Sequence, residues 1–216
     1  MKRLGPWLTL AAVAVLGLVL LVVNMSKDTE PSTAQPNSGP ATSSVTAAPT
    51  TTAPKATPFP AAADYVATIP LAAGGTMTLE ITVEGEKAIA YACDGKTIES
   101  WLQGPATNGT LKLTGKNDAT LTGNFDGKAV NGNLSIGGKQ WEFSALPVTP
   151  PAGLYVYNEG GVRQSWIVDG TGAVTGVQRG ADGATTPAAP LNSDATAVVN
   201  GKKITATKVS GGDSVG

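Results

Sequence analysis

Residues 63–209 predict an all-β, antiparallel domain, on three observations. Turn dipeptides recur along it: Asp94-Gly95, Asn108-Gly109, Asp126-Gly127, Asn131-Gly132, Gly137-Gly138, Gly160-Gly161, Asp169-Gly170, Asp182-Gly183 and Asn200-Gly201. Gly, Asn and Asp tolerate the positive φ that two-residue hairpin turns require. Between the turns, apolar and polar residues alternate with period two. Nowhere in the region is there a sustained 3.6-residue apolar stripe with caps, so almost no helix is expected. Consecutive hairpins form a meander. About ten or eleven short strands in one sheet would curl, and closure hides the edges. An up-and-down barrel is the first expectation and a two-sheet sandwich the second.

The chain ahead of this domain has a different character. Lys2 and Arg3 precede an apolar run from Trp7 to Val23, broken only by Thr9 and Gly17. At about 1.5 Å per residue such a run crosses most of a ~30 Å hydrocarbon core. With the early charges basic and in front of it, residues 1–6 are expected in the cytoplasm. Residues 7–24 form one N-terminal transmembrane helix, a signal anchor, and the rest is extracytoplasmic. A cleaved signal peptide is the alternative; Val22-Val23-Asn24-Met25-Ser26-Lys27 matches an Ala-x-Ala cleavage site poorly. Residues 25–62 turn abruptly to Thr, Pro, Ala and Ser. That composition cannot bury enough apolar surface to offset backbone ordering, and a disordered, extended stalk is expected.

Within the domain the clearest strand is Thr76 to Glu84. Met77, Leu79, Ile81 and Val83 share one face, and Thr78, Glu80 and Thr82 share the other, expected to be wet. Leu111 and Leu113, then Ala119, Leu121 and Phe125, continue the alternation. Val130, Leu134 and Ile136 share a face with Gly132, and Trp141, Phe143 and Ala145 share the next. Gly123 and Gly132, on inward faces, are candidate points of strand bending. The prolines from Pro147 to Pro151 separate an eight-strand first part from a smaller second set of hairpins. The stretch Tyr91–Leu102 loosely echoes Tyr157–Ile167, each a strand, a Gly turn and a strand carrying Ser-Trp-aliphatic. Residues 210–216 read as a flexible tail.

Ala90-Tyr91-Ala92-Cys93-Asp94-Gly95, followed by Glu99-x-Trp101-Leu102-x-Gly104, resembles a segment of uncharacterised, membrane-anchored exported proteins of actinobacteria. Leu113-Thr114-Gly115, Leu121-Thr122-Gly123 and Pro151-Ala152-Gly153-Leu154-Tyr155 are similar in the same way. The resemblance implies an exported β-rich domain and carries over no catalytic residue.

Several chemistries are excluded by composition. Histidine is absent, which removes Ser-His-Asp and Cys-His catalysis and the commonest zinc ligand. The lone Cys93 makes no internal disulfide and reads as a small buried hydrophobe. Sixteen acidic and fifteen basic residues leave no basic stripe for nucleic acid. Asp94 and Glu99 flank one hairpin as carboxylates, but turn chemistry accounts for Asp94 and a solvent-facing position for Glu99. Asn117, Asp118, Asn124 and Asp126 match no calcium loop. No catalytic residue, metal site or cofactor is expected.

The aromatic residues are the remaining candidates. Trp101 has the opposite parity to Ile98 and Leu102, and Tyr155 and Tyr157 oppose Leu154 and Val156. Either these rings pack the two parts of the domain together, the favoured explanation, or Trp101, Tyr155, Tyr157 and Trp166 form a surface for a ligand or partner. The resulting functional expectation is a membrane-anchored, extracytoplasmic, non-catalytic binding or scaffold module of the cell envelope. Its partner would be an envelope protein, a glycan or a lipid. A carboxylate-dependent glycan hydrolase and a purely structural envelope protein are the alternatives.

Overall fold

The computed structural model describes residues 57–214. The expected cytoplasmic terminus, the anchor at residues 7–24 and most of the stalk lie outside the described residues. Among the described residues the fold is all-β, without helix. Eight antiparallel strands close a barrel: β1 (Ala62–Pro70), β2 (Thr76–Glu84), β3 (Lys87–Cys93), β4 (Glu99–Thr107), β5 (Thr110–Gly115), β6 (Thr120–Phe125), β7 (Val130–Ile136) and β8 (Lys139–Val148). Closure comes from β1 against β8, with Tyr65 opposite Pro147 and Val66 opposite Leu146.

The alternation read from the sequence fills the interior. Met77, Leu79, Ile81, Leu102, Leu111, Leu121 and Leu134 are all fully buried and belong to one cluster. Gly123 and Gly132 face each other across β6 and β7. A Cβ on Gly132 would stand 2.0 Å from the Thr122 carbonyl oxygen and 2.9 Å from the Phe143 ring. What they supply here is room for Phe143 and for the close approach of β6 and β7. For that reason Asn131-Gly132 is no turn; it lies inside β7. Asn108-Gly109 does turn the chain, with φ of 51° and 71°.

The expected stalk ends earlier than residue 62. Phe59 stacks on Phe125 with centroids 5.3 Å apart and meets Tyr65 edge-on at 6.2 Å. Thr57 lies so close to Gly109 that a Cβ there would be 2.1 Å from its carbonyl oxygen.

Beyond the proline-rich break, a second sheet forms from β9 (Gly153–Glu159), β10 (Val162–Val168), β11 (Val174–Arg179) and β12 (Thr185–Pro187). The hairpin β13 (Thr196–Val199) and β14 (Lys202–Thr205) follows, and β15 (Thr207–Lys208) returns to pair with β9. The order is β12-β11-β10-β9-β15. One face of this sheet packs on the outer wall of the barrel: Leu154, Ile167 and Val177 meet Val66, Ile89, Tyr91 and Cys93. The outer face of β2 is thus not wet as expected. Thr78, Glu80 and Thr82 are buried beneath the second sheet. The other face carries Tyr155, Trp166 and Val168, covered by the β13–β14 hairpin through Ala197, Val199 and Ile204.

The stretch read as a tail is partly seated. Ser210 donates its hydroxyl hydrogen bond to Glu84, and the Gly212 amide donates to the same carboxylate at 3.1 Å. A Cβ on Gly211 would sit 2.5 Å from the Glu84 amide nitrogen. Only glycine allows that approach.

Candidate functional site

The chemistry concentrates where the start of β4 meets the second sheet. Glu99 and Trp101 share the outer face of β4, two residues apart, so both point at that sheet. Arg163 on β10 and Arg179 on β11 are direct cross-strand neighbours. Two adjacent guanidinium groups repel. Glu99 resolves the conflict: its Oε1 accepts from Arg163 Nη2 at 3.1 Å and its Oε2 from Arg179 Nε at 2.6 Å.

Further donors converge on the same carboxylate. Trp101 Nε1 donates to Oε1 at 3.2 Å, and the Tyr91 hydroxyl lies 3.5 Å away. The Glu99 side chain is only 1 % exposed. Burial alone would raise its pKa, but the hydrogen bond from Arg179, the charge of Arg163 and the Trp101 bond together hold it below the ordinary glutamate value. Such a carboxylate is a clamp rather than a proton donor. Above it, Arg163 Cζ stands 5.0 Å from the Trp101 ring centroid, within cation–π range. Tyr91 supports the ring, centroid to centroid 4.5 Å.

These groups line an open cleft of about 650 Å³. Its remaining wall comes from the barrel: Gln103 of β4, Thr114 of β5, Lys116 and Asn117 of the β5–β6 turn, Ile136 at the end of β7 and Gly137 of the β7–β8 turn. The close crossing of β4 and β5 depends on Gly115, where a Cβ would meet the Trp101 carbonyl oxygen at 2.2 Å.

A second buried glutamate in the same wall behaves differently. Glu80, between Val66 and Tyr91, is fully buried, and neither carboxyl oxygen has a hydrogen-bond partner. Burial pushes its carboxyl well above the ordinary range; Asp64 adds to the rise and Lys208 opposes it. The neutral acid is favoured. Cys93 is fully buried, and desolvation drives its thiol up to about 12. Asp94 spends Oδ1 on the amides of Lys96, Thr97 and Ile98, at 2.8–2.9 Å. Among the described residues no group of three His, Cys, Asp or Glu is placed to hold a metal.

Of the four aromatic candidates, only Trp101 lines the cleft. Tyr155 and Trp166 are cross-strand partners on the far face of the second sheet. Both are buried there, with the Tyr155 hydroxyl donating to the Pro151 carbonyl at 2.8 Å and Trp166 Nε1 to the Ala189 carbonyl at 2.7 Å. Tyr157 packs at the margin of that cluster, beside the ion pair of Lys202 with Glu159 at 2.5 Å. The structure therefore brings Tyr155, Tyr157 and Trp166 together and leaves Trp101 on the other side of the sheet.

Sequence reasoning missed Arg163 and Arg179, and placed Glu99 in solvent. One signal was available: Arg163 shares the parity of Ile167, a face that must be covered, and a charge there needs a partner. Comparison with protein-family models, with curated proteins and with solved structures finds no match for this chain.

Proposed function

We propose that the chain is a membrane-anchored, extracytoplasmic binding module of the cell envelope whose ligand site is the Trp101 cleft. The observation that carries this reading is an open space of about 650 Å³, within the range of small-molecule sites, walled by three cationic side chains and a single clamped carboxylate. The apolar run at residues 7–24 supports the anchored setting. Glycan hydrolysis by two carboxyls about 5–9 Å apart requires one of them protonated and facing substrate. Glu99 is held ionised and Glu80 is sealed inside the barrel–sheet contact, so neither suits that role.

One observation favours a second reading, a structural part without ligand: the barrel interior is packed with side chains. A photo-reactive residue placed at Asn117 in intact cells separates the two. An adduct from the cleft supports binding. Equal labelling from Asn117 and from a control at Lys128, exposed in the β6–β7 turn away from the cleft, defeats it.

A further inference from the structure

We propose that the cleft holds an oxyanion, a carboxylate or phosphate group carried on a hydroxyl-rich glycan, and that Arg163, Arg179 and Lys116 bind it. This rests on the binding role argued above and names the chemistry of that same cleft.

Charge is the first ground. Lys116, Arg163 and Arg179 face the space against Glu99 alone, in a chain whose net charge is −1. Among the described residues Lys116 has no acidic partner within ion-pair distance, and its side chain stands in an exposed turn. Donor accounting is the second. Glu99 uses Arg163 Nη2 and Arg179 Nε, and the Gly183 carbonyl takes Arg179 Nη1 at 2.9 Å. Arg163 Nη1 and Arg179 Nη2 have no acceptor among the described residues. Arg163 Nε also lacks one but is shielded from solvent, so Arg163 Nη1 and Arg179 Nη2 are the donors left for a ligand. A guanidinium held by a ring and a carboxylate, with its other N–H groups unspent, is poised for a second oxyanion.

Trp101 then has a defined job. With Tyr91 behind the ring and Arg163 over it, the indole aims the guanidinium instead of offering a bare platform. The rest of the lining decides the carrier. Only Trp101 and Ile136 are large and apolar, too little for an acyl chain, whereas Gln103, Thr114 and Asn117 supply partners for hydroxyl groups.

The test uses the full chain in detergent micelles, titrated calorimetrically with trigalacturonate, glucose 6-phosphate and neutral maltotriose. Trigalacturonate or glucose 6-phosphate is expected to bind, the former pointing to a carboxylate source and the latter to a phosphate. Raising NaCl from about 50 to 500 mM should weaken that binding. Lys116→Glu should weaken it at least about tenfold without moving the melting temperature. Arg163→Gln should abolish it. Because that variant also disturbs Glu99, Lys116→Glu is the decisive one. Maltotriose binding as tightly, with Lys116→Glu unchanged, overturns the oxyanion class and leaves the binding role standing. Failure of all three probes overturns the glycan oxyanion. If the Asn117 crosslink then captures a protein, the binding role stands with a protein partner; if it captures nothing, the binding role falls too.

Discussion

The two sides of the second sheet solve opposite problems with the same strands. The far side is dry and aromatic: Tyr155 and Trp166 lie paired under the β13–β14 hairpin, and each polar tip has a backbone acceptor. The barrel side is mixed. Leu154, Ile167 and Val177 make an apolar seam, but Glu80 and Ser165 are buried there with unpartnered oxygens, and Arg163 and Arg179 sit side by side. Polar groups without partners cost stability. A sheet needing only to be held in place would resemble the far side throughout. The barrel side carries that cost along the seam at Glu80 and Ser165, and at one end of the seam, where Glu99 meets Arg163 and Arg179, it opens a cleft.

The sharpest way to break this comparison is Trp166→Ala. It removes a buried ring and strands the Ala189 carbonyl, and denaturant unfolding should show a loss of about 3–5 kcal/mol. A loss no larger than that from Trp101→Ala would erase the contrast. Next comes Glu99→Gln, which leaves two neighbouring guanidinium groups unneutralised. The expected loss is about 2–3 kcal/mol, below that of a fully buried pair because Arg179 retains water. Because the Glu99 carboxyl is held below the ordinary value of 4.5, its contribution is complete above that pH. It is lost as pH falls through the folded value, and acid melts of Glu99→Gln should lack that limb.

Trp101→Ala, half-buried at the cleft wall, should cost only about 1–2 kcal/mol while releasing Arg163. The smallest effect has the opposite sign. Glu80→Met should stabilise the domain by about 1 kcal/mol at pH 8, since it replaces an unpartnered carboxyl with an apolar side chain of similar size. Glu80 is protonated more readily folded than unfolded. Its stabilising share is therefore present below pH 4.5 and fades as pH climbs toward the raised folded value. Stability against pH should lose that descending limb in Glu80→Met. An unchanged profile would show that water reaches Glu80.

Local chemistry made the barrel legible. Inward positions such as Leu79, Leu111 and Leu121 alternate with threonine, and Asn108-Gly109 and Asn200-Gly201 turn the chain where their φ angles allow. The second layer was not legible in the same way. Thr78 and Thr82 suit a wet pleated surface and a covered one equally, so parity alone cannot say which outer wall will be roofed. Register hid the site as well. The two hairpins that echo each other both place a Tyr opposite a Trp, but Trp101 faces Tyr91 whereas Trp166 faces Tyr155, leaving Tyr157 opposite Gln164. Turn length sets that offset, and with it which ring is buried. Glu99 follows from the same cause: its partners are 64 and 80 residues downstream, beyond any local pattern.

In a strict up-and-down meander, connections alternate between the two rims. The β4–β5 and β6–β7 turns share one rim with Thr57 and Phe59, which approach Gly109 and stack on Phe125. The β5–β6 and β7–β8 turns, which edge the cleft, lie on the opposite rim, a strand length or roughly 20 Å away. Thr57, the first described residue, therefore lies at the rim away from Lys116 and Asn117. The segment from Thr57 to Ala61 thus enters β1 without crossing the basic mouth, which its own approach leaves unobstructed.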